Sequence, residues 1–297
     1  MIWQIPENSI IYNWSLDWRV PLISSLLYVV AVTFASRRNL REAKSSTSYK
    51  VNNNKPKARV AQPWTLFKFG VLAHNILLTL FSAFTLYSVA PILIAGFRYR
   101  TFVDAFCDHG GWMYRNGVGF WTWAFYMSKY YELIDTFILL AKGKPSNFLQ
   151  TFHHAGAIIS MWMLVSTRVF GSWVFVSFNS FIHSFMYTYY TLTCLGYQPK
   201  WKRLMTYMQL TQFFVGLPMA ILYVFVPNCV SCTVHPKNTL ALVLGIDGYW
   251  SAVVALCFTG SYVAYLIVLF LDFARRTYFS RNSSAKVEAS TQKKKSN

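Results

Sequence analysis

Two adjacent histidines open an apolar stretch in the middle of the chain. His153 and His154 follow Gln150 by three and four residues, and residues 155–165 are nearly all apolar. On a helix, positions spaced by three and four residues share one face. Imidazole groups transfer protons and attack carbonyl carbons, and polar groups inside a bilayer are costly, so this face predicts a functional site. The alternative is two histidines that bond to their neighbours at the mouth of a helix.

A group of charged residues interrupts the preceding apolar stretch. Lys129, Glu132 and Thr136 have helical spacing, and Asp135 adjoins them. An unpaired charge at the centre of a membrane helix costs about 2.5–3.5 kcal/mol, so we expect this face to point into a helical bundle. The alternative interpretation is a structural ion pair between Lys129 and Glu132.

Two further polar stripes lie nearer the C-terminus. One has helical spacing and consists of Asn179, His183, Met186, Tyr187 and Tyr190. The other is spaced by three residues and consists of Thr206, Gln209 and Gln212. Together with the histidines they predict an enclosed polar chamber, whereas the alternative for the amides is that they hold neighbouring helices together.

The elements that position these side chains are predicted to be membrane helices. The 297 residues are 55% apolar and only 13% charged, which indicates an all-α polytopic membrane protein. Seven stretches are long enough to cross a bilayer, at residues 20–36, 68–90, 117–140, 148–167, 172–193, 204–226 and 248–271. We expect these seven helices to enclose the polar chamber and an apolar tunnel.

The chain is predicted to have one membrane domain with two flanking segments. The predicted regions are an N-terminal lumenal segment, 1–19, the membrane domain, 20–272, with a polar linker at 37–63, and a basic cytosolic tail, 273–297. Lysine and arginine are concentrated in the first, third and fifth loops and in the tail. By the positive-inside rule, this places the N-terminus in the lumen and the C-terminus in the cytosol.

The basic residues also suggest partners and a location. The net charge is +18, and the basic residues that produce it lie beside the apolar stretches. This placement is explained by the orientation of membrane helices and does not require nucleic-acid binding. The cytosolic loops carry Lys142, Lys144, Lys202 and Arg203. Cations beside an apolar chamber suit a phosphorylated ligand with a lipid tail, although topology alone also predicts basic loops there. In the tail, Lys294 and Lys295 resemble a dilysine retrieval signal, so we predict the endoplasmic reticulum membrane.

The five cysteines are too few for a disulfide scaffold. Cys107, Cys229 and Cys232 fall in predicted lumenal loops, so we expect one bridge from Cys107 to Cys229 or to Cys232. Cys194 and Cys257 are predicted to lie in the core. No cysteine is close to the histidine pair in sequence.

Taken together, these motifs resemble the ELO family of very-long-chain fatty acid elongases, the 3-ketoacyl-CoA synthases. The family pattern Lys-x-x-Glu-x-x-Asp-Thr corresponds to residues 129–136, and the patterns around His183 and Gln209 follow in the family's order. The common histidine box is His-x-x-His-His, whereas this chain has Gln150 at the first position. Glutamine there resembles the branch of the family that elongates polyunsaturated acyl chains.

The resemblance implies an acyltransferase that condenses an acyl-CoA with malonyl-CoA, releasing carbon dioxide and yielding a 3-ketoacyl-CoA. These two thioesters would be substrates, and no cofactor and no metal are expected. The expected partners are membrane lipids, the ketoacyl reductase, dehydratase and enoyl reductase of the elongation cycle and, as a homodimer, a second copy of the chain.

Residue roles follow from the chemistry of condensation. We assign the nucleophile to His153, which would form an acyl-imidazole, while His154 and His183 would orient groups, transfer protons or hold oxyanions. Gln150 can orient His153 by hydrogen bonding. The remaining supporting residues are Asn179, Lys129, Glu132, Asp135, Thr136, Tyr187, Tyr190, Gln209 and Gln212.

Two other classes of protein share some of these features. A di-iron membrane desaturase or hydroxylase also has histidine boxes in membrane helices, but this chain has six histidines in all. His74, His109 and His235 are predicted to lie outside the chamber. A seven-span transporter or receptor is the non-enzymatic alternative, although no internal repeat typical of transporters is apparent.

Overall fold

The chain folds into a bundle of α-helices. The computed structural model describes residues 3–50, 65–230 and 238–279, and no β-strand occurs within these ranges. The described α-helices are α1 (Ile10–Leu16), α2 (Arg19–Lys50), α3 (Leu66–Tyr99), α4 (Phe102–Cys107), α5 (Gly119–Ala141), α6 (Phe148–Thr167), α7 (Ser172–Leu195), α8 (Lys202–Phe225), α9 (Thr239–Leu244) and α10 (Gly248–Ala274). The all-α prediction is therefore confirmed for the described part of the chain.

The seven predicted spans coincide with the long helices α2, α3, α5, α6, α7, α8 and α10. Within the described ranges, length and apolar composition identify four candidate membrane spans: Arg19–Ala43, Leu66–Tyr99, Lys202–Phe225 and Gly248–Tyr278. The protein is thus a multi-pass membrane protein. Helices α5, α6 and α7 carry the polar stripes, which lower their hydropathy, and their crossing of the membrane stays a prediction.

Helix α2 extends well beyond the first predicted span. It continues to Lys50, so residues 37–50 of the predicted linker are helical, and residues 51–63 lie outside the described ranges. Arg38 forms an ion pair with Glu42 one helical turn away, and Asn39 donates a hydrogen bond of 2.9 Å to the carbonyl of Leu140. The first part of the predicted linker therefore continues α2 towards the α5–α6 loop, and the bounds of the linker stay a prediction.

Helix α6 occupies the middle of the bundle, where it packs against α2, α5 and α10, while α7 packs along α3 and against α8. Gly156 lets α6 approach α10 closely, because a Cβ atom at this position would lie 2.3 Å from the Tyr262 ring. The Tyr262 hydroxyl donates a hydrogen bond of 2.9 Å to the backbone carbonyl of His153. These contacts hold the start of α6, including its histidines, against α10.

One end of the bundle, which we call the disulfide end, contains α4, α9 and the start of α5. A disulfide joins Cys107 at the end of α4 to Cys229 after α8, which is one of the two pairings that the sequence left open. Cys232, His235, Lys294 and Lys295 lie outside the described residues. The opposite end, where α5 ends and α6 begins, is called the site end.

The N-terminal segment packs into the disulfide end. The Trp3 ring lies 5.3 Å from Phe120 and 4.9 Å from Trp121 between ring centroids. Arg168 Nη1 lies 3.0 Å from Glu7 Oε1, which links this segment to the turn after α6. The described part of the predicted segment 1–19 is therefore built into the bundle.

Candidate active site

A cavity of about 780 Å³ lies at the site end, and its wall contains His153, His154 and His183. His154 and His183 are buried, and His153 is half-buried. The rings of His153 and His154 stand nearly perpendicular, with centroids 5.3 Å apart. The geometry thus brings the histidines of α6 and α7 to the wall of one cavity.

A buried ion pair supports the histidines from α5. The Lys129 ammonium lies 2.7 Å from Glu132 Oε1 and donates to Asn179 Oδ1 at 3.1 Å, and both ionic side chains are only 2% exposed. Burial of two charges requires such close pairing. His183 Nδ1 lies 3.7 Å from the same Glu132 oxygen. Because Lys129 occupies the Asn179 amide oxygen, the Asn179 amide nitrogen is left to donate into the cavity.

Gln150 contacts α5 rather than the neighbouring histidine. Its Nε2 donates to Thr136 Oγ1 at 3.2 Å, and Thr136 is also hydrogen-bonded to the Tyr28 hydroxyl of α2 at 2.8 Å. Among the described residues, the expected hydrogen bond between Gln150 and His153 is absent. The Tyr28 ring meets the His154 ring edge to face at 6.2 Å between centroids. Gln150 and Tyr28 therefore join α6 to α5 and α2.

A second polar network joins α3, α5 and α7. His74 Nε2 donates to Asp135 Oδ1 at 3.0 Å, and the Tyr187 hydroxyl donates to Asp135 Oδ2 at 2.6 Å. The Tyr187 ring lies 5.4 Å from the His183 ring between centroids. Asp135, Tyr187 and Tyr190 line the cavity. His74 itself is not among the cavity-lining residues of the described chain, as predicted, but it holds a carboxylate that does line the cavity.

The α8 stripe contributes its two amides to the cavity. Gln209 and Gln212 line the wall, and Gln209 Nε2 lies 3.8 Å from Met186 Sδ. Thr206 instead forms a 3.1 Å hydrogen bond with the Tyr278 hydroxyl, beyond the end of α10. The stripe thus divides into a cavity-lining part and a part that packs against the C-terminal helix.

The basic residues at the site end differ in their positions. Lys142 and Lys144 line the cavity, and so does Lys68 at the start of α3. Within the described chain, Lys202 and Arg203 do not belong to this lining. The Arg203 guanidinium instead lies over the Tyr278 ring, 5.3 Å from its centroid. The first turn of α8 therefore places its cations away from the cavity wall that contains the other three lysines.

A second, narrow cavity of about 50 Å³ adjoins the first and shares Asn179, Gln212 and Phe213 with it. The rest of its wall is almost entirely apolar and comes from α6, α7, α8 and α10. It extends to Leu164 and Val174, away from the site end. Polar and apolar spaces thus meet at Asn179.

Cys194 is part of the cavity wall rather than the core. Its Sγ lies 3.8 Å from the carbonyl oxygen of Lys68, and the side chain is partly exposed. Cys257 is exposed on α10, so the core prediction is wrong for both free cysteines. A thiol therefore lies on the wall of the same cavity, about three turns along α7 from His183.

Three contributors to the site were missed from the sequence: Tyr28, His74 and Tyr262. Each is an aromatic or polar side chain whose partner lies more than 60 residues away in the chain. The neighbouring Asn75 also lines the cavity, so the pair His74-Asn75 within an apolar helix was a usable signal for α3. Tyr28 and Tyr262 carry no comparable signal, because isolated tyrosines are common in membrane helices.

The described residues offer no donor geometry for a metal ion. Within residues 3–50, 65–230 and 238–279, no three His, Cys, Asp or Glu side chains are placed to hold a metal ion. The di-iron alternative therefore has no donor set in these ranges.

A family model described as ELO: GNS1/SUR4 family matches residues 13–286. The chain belongs to the ELO family. This match covers the described bundle from the middle of α1 to the end of α10. The ELO motifs recognised in the sequence, around Lys129, Gln150, His183 and Gln209, are the ones whose side chains surround the cavity.

Several relatives of the chain are named as fatty acid elongases. Fatty acid elongase sre1 of Dictyostelium discoideum is 36% identical over 166 residues, which is 54% of this chain and 60% of that protein. Fatty acid elongase 3 of Trypanosoma brucei brucei is 27% identical over 95% of this chain and 91% of its own length. Very long chain fatty acid elongase 6 of Gallus gallus is 25% identical over 95% of this chain and 93% of its own length. The match to the Dictyostelium protein thus spans three-fifths of that relative.

Proposed function

We propose that the protein is a fatty acid elongase that condenses a long-chain acyl-CoA with malonyl-CoA. The observation that carries this proposal is the placement of His153, His154 and His183 on the wall of one cavity that adjoins an apolar one. The membership of the ELO family and the names of the relatives support the same reaction.

The two adjoining cavities match the two chemical parts of the substrate. Lys68, Lys142 and Lys144 place positive charge at the mouth of the larger cavity, where the phosphates of coenzyme A would bind. The apolar cavity beyond Asn179 would take the carbons of the acyl chain next to the thioester, and it must widen to hold a long chain, because its present volume is about 50 Å³. In this arrangement the thioester lies between the lysines and the apolar wall, beside the histidines. Lys202 and Arg203 have no part in this binding site.

The proposed reaction has two steps. First, an imidazole nitrogen of His153 attacks the thioester carbonyl, the C–S bond breaks, and coenzyme A leaves as the thiol with the imidazole proton. Second, malonyl-CoA loses carbon dioxide, and the resulting enolate carbon attacks the acyl-imidazole carbonyl. The C–N bond to His153 then breaks, the 3-ketoacyl-CoA is released, and the imidazole regains one proton from water.

The neighbouring groups would stabilise the charge that develops in each step. The Asn179 amide nitrogen is available as a donor to a thioester oxyanion, because its oxygen is held by Lys129. His154 and His183 would donate to the enolate oxygen or transfer the proton. Lys129 lies behind the cavity wall and would act by positioning Asn179, while Glu132 lines the cavity and would also position His183.

Finer features of the function are also part of the proposal. Because Gln150 replaces the first histidine of the common box, we infer a preference for polyunsaturated acyl chains. We place the protein in the endoplasmic reticulum membrane with a lumenal N-terminus and a cytosolic C-terminus, as the distribution of basic residues favours. The reductases and dehydratase of the same cycle, and a second copy of the chain, are proposed partners.

A direct test is elongation in membranes with labelled malonyl-CoA. Saturated and polyunsaturated acyl-CoAs of increasing length would be compared for the wild type, His153→Ala and, as a matched control, His109→Ala at the disulfide end. We expect a product extended by two carbons from the wild type and the control, and none from His153→Ala. Absence of product with the folded wild type would reject the elongase proposal, and equal yields from saturated chains would reject the polyunsaturated preference.

A further inference from the structure

His74 is a buried histidine that the proposed reaction does not use. Its side chain is 4% exposed, and its Nε2 lies 3.0 Å from Asp135 Oδ1. Since a carboxylate only accepts hydrogen bonds, Nε2 carries the proton. His74 Nδ1 has no hydrogen-bond partner among the described residues. The bond to Asp135 is therefore the polar contact that orients this ring.

The bond from His74 is the first in a series of three contacts that crosses the bundle. Asp135 accepts the Tyr187 hydroxyl at 2.6 Å through its second oxygen. Tyr187 is completely buried, and its ring meets the His183 ring edge to face at 5.4 Å between centroids. We call His74, Asp135 and Tyr187 the His74 relay. It joins α3, α5 and α7 and ends against a histidine of the cavity wall.

We propose that His74 is a positioning residue for the condensation reaction and acts through the His74 relay on His183. This inference rests on the proposed function. Asp135 and Tyr187 line the cavity, whereas His74 lies behind Asp135 and has no place in the lining among the described residues. His74 holds the carboxylate in the orientation that fixes the Tyr187 hydroxyl. Tyr187 in turn limits the rotation of the His183 ring.

The charge of Asp135 explains why a donor is needed behind it. Asp135 is 19% exposed, so its carboxylate borders the space that would receive the anionic malonyl group. Without His74, one carboxylate oxygen loses its donor, and the group is free to turn into the cavity. There it would repel the malonyl carboxylate and release Tyr187. A hydrocarbon side chain of similar size at position 74 would fill the space but would not prevent this.

Two substitutions separate positioning from packing. His74→Leu keeps the volume and removes the donor, whereas His74→Gln keeps an N–H donor at nearly the same reach. We expect His74→Leu to lower kcat between about 10- and 100-fold, because a small misplacement of a reacting group has effects of this size. His74→Gln should restore kcat to within about threefold of the wild type, with similar amounts of folded protein for both variants.

A double-mutant cycle with Tyr187→Phe tests whether the effect passes through the relay. We expect Tyr187→Phe to lower kcat as His74→Leu does, and the double variant to be no slower than the slower single variant, since both break one series of contacts. Additive losses, or equal losses from His74→Gln and His74→Leu, would overturn the relay. An inactive wild type would instead reject the elongase proposal itself. If the His74→Leu variant does not accumulate as folded protein, the kcat of Tyr187→Phe is compared with that of His74→Gln. The relay then predicts a lower kcat for Tyr187→Phe only.

Discussion

A buried carboxylate has different hydrogen-bond partners at the two ends of the bundle. At the disulfide end, Asp108 is fully buried, and its two oxygens accept the backbone N–H groups of Met113 and Tyr114 at 3.0 and 2.8 Å. At the site end, Glu132 is also buried, but Oε1 takes Lys129 while Oε2 has no partner among the described residues. A carboxylate whose two oxygens both accept hydrogen bonds from the following loop stabilises the fold. One that keeps an acceptor beside a cavity retains capacity for function.

The contacts of Asp108 and Lys129 also differ in sequence distance. The polar contacts of Asp108 are local, and the long-range connections near it are the disulfide between Cys107 and Cys229 and the ion pair of Arg168 with Glu7. At the site end, side chains bond across 50 or more residues, as Lys129 does to Asn179. Substitutions at the disulfide end should therefore change stability first, whereas those at the site end should change activity first.

The largest effect is expected at Asn179. Asn179→Ala removes the amide that would donate to the oxyanion but leaves the pair between Lys129 and Glu132 intact. We expect elongation to fall about 100- to 1,000-fold, as for loss of one oxyanion donor. The matched control is Asn116→Ala at the disulfide end, where an exposed asparagine bonds to the carbonyl of Trp112. Equal activity of the two variants would contradict the assignment of Asn179.

A loss of stability with retained activity is expected at Asp108. Asp108→Ala leaves the N–H groups of Met113 and Tyr114 buried without their acceptor. Each such group lowers the free energy of unfolding by about 1–3 kcal/mol. Thermal unfolding in detergent should occur at a clearly lower temperature, while activity per folded molecule stays normal. Asp104→Ala, on an exposed neighbour in α4, should leave the unfolding temperature nearly unchanged. An inactive but stable Asp108→Ala variant would contradict the claim that the disulfide end serves stability rather than activity.

An effect on both properties is expected at Gly156, where α6 meets α10. Gly156→Ala would place a Cβ atom 2.3 Å from the Tyr262 ring, so the ring must move and its hydroxyl loses the carbonyl of His153. We expect about 1–3 kcal/mol of destabilisation, as for overpacking elsewhere, together with slower elongation. Gly70→Ala on α3 meets no atom within 4 Å and should be tolerated. If Gly156→Ala behaves like Gly70→Ala, the close packing has no role.

The smallest effect is expected at Cys194. This thiol lines the cavity, so it competes with His153 for the role of nucleophile. Our assignment predicts that Cys194→Ser keeps elongation within about twofold of the wild type, since only a wall atom changes. If Cys194→Ser lowers elongation as much as Asn179→Ala does, the nucleophile is cysteine rather than histidine.

The parts of the site that sequence could predict are those with a local period. Spacing within α5 and α7 placed Glu132, Asp135 and His183 on faces that do line the cavity, because helical geometry fixes which residues share a side. Partners across helices could not be derived this way. The bond of His74 to Asp135 and that of Gln150 to Thr136 depend on how α3, α5 and α6 are arranged, and loop charge alone did not show that Lys202 and Arg203 lie away from the mouth.

The central claim is that an imidazole of His153 carries the acyl group. The most direct measurement is to incubate the folded protein with labelled acyl-CoA in the absence of malonyl-CoA and to map the labelled peptide by mass spectrometry. We predict that the label lies on His153, persists in Cys194→Ser, disappears in His153→Ala, and is transferred to product when malonyl-CoA is added. Label on Cys194, or an acylated His153→Ala variant that still forms product, would contradict the account.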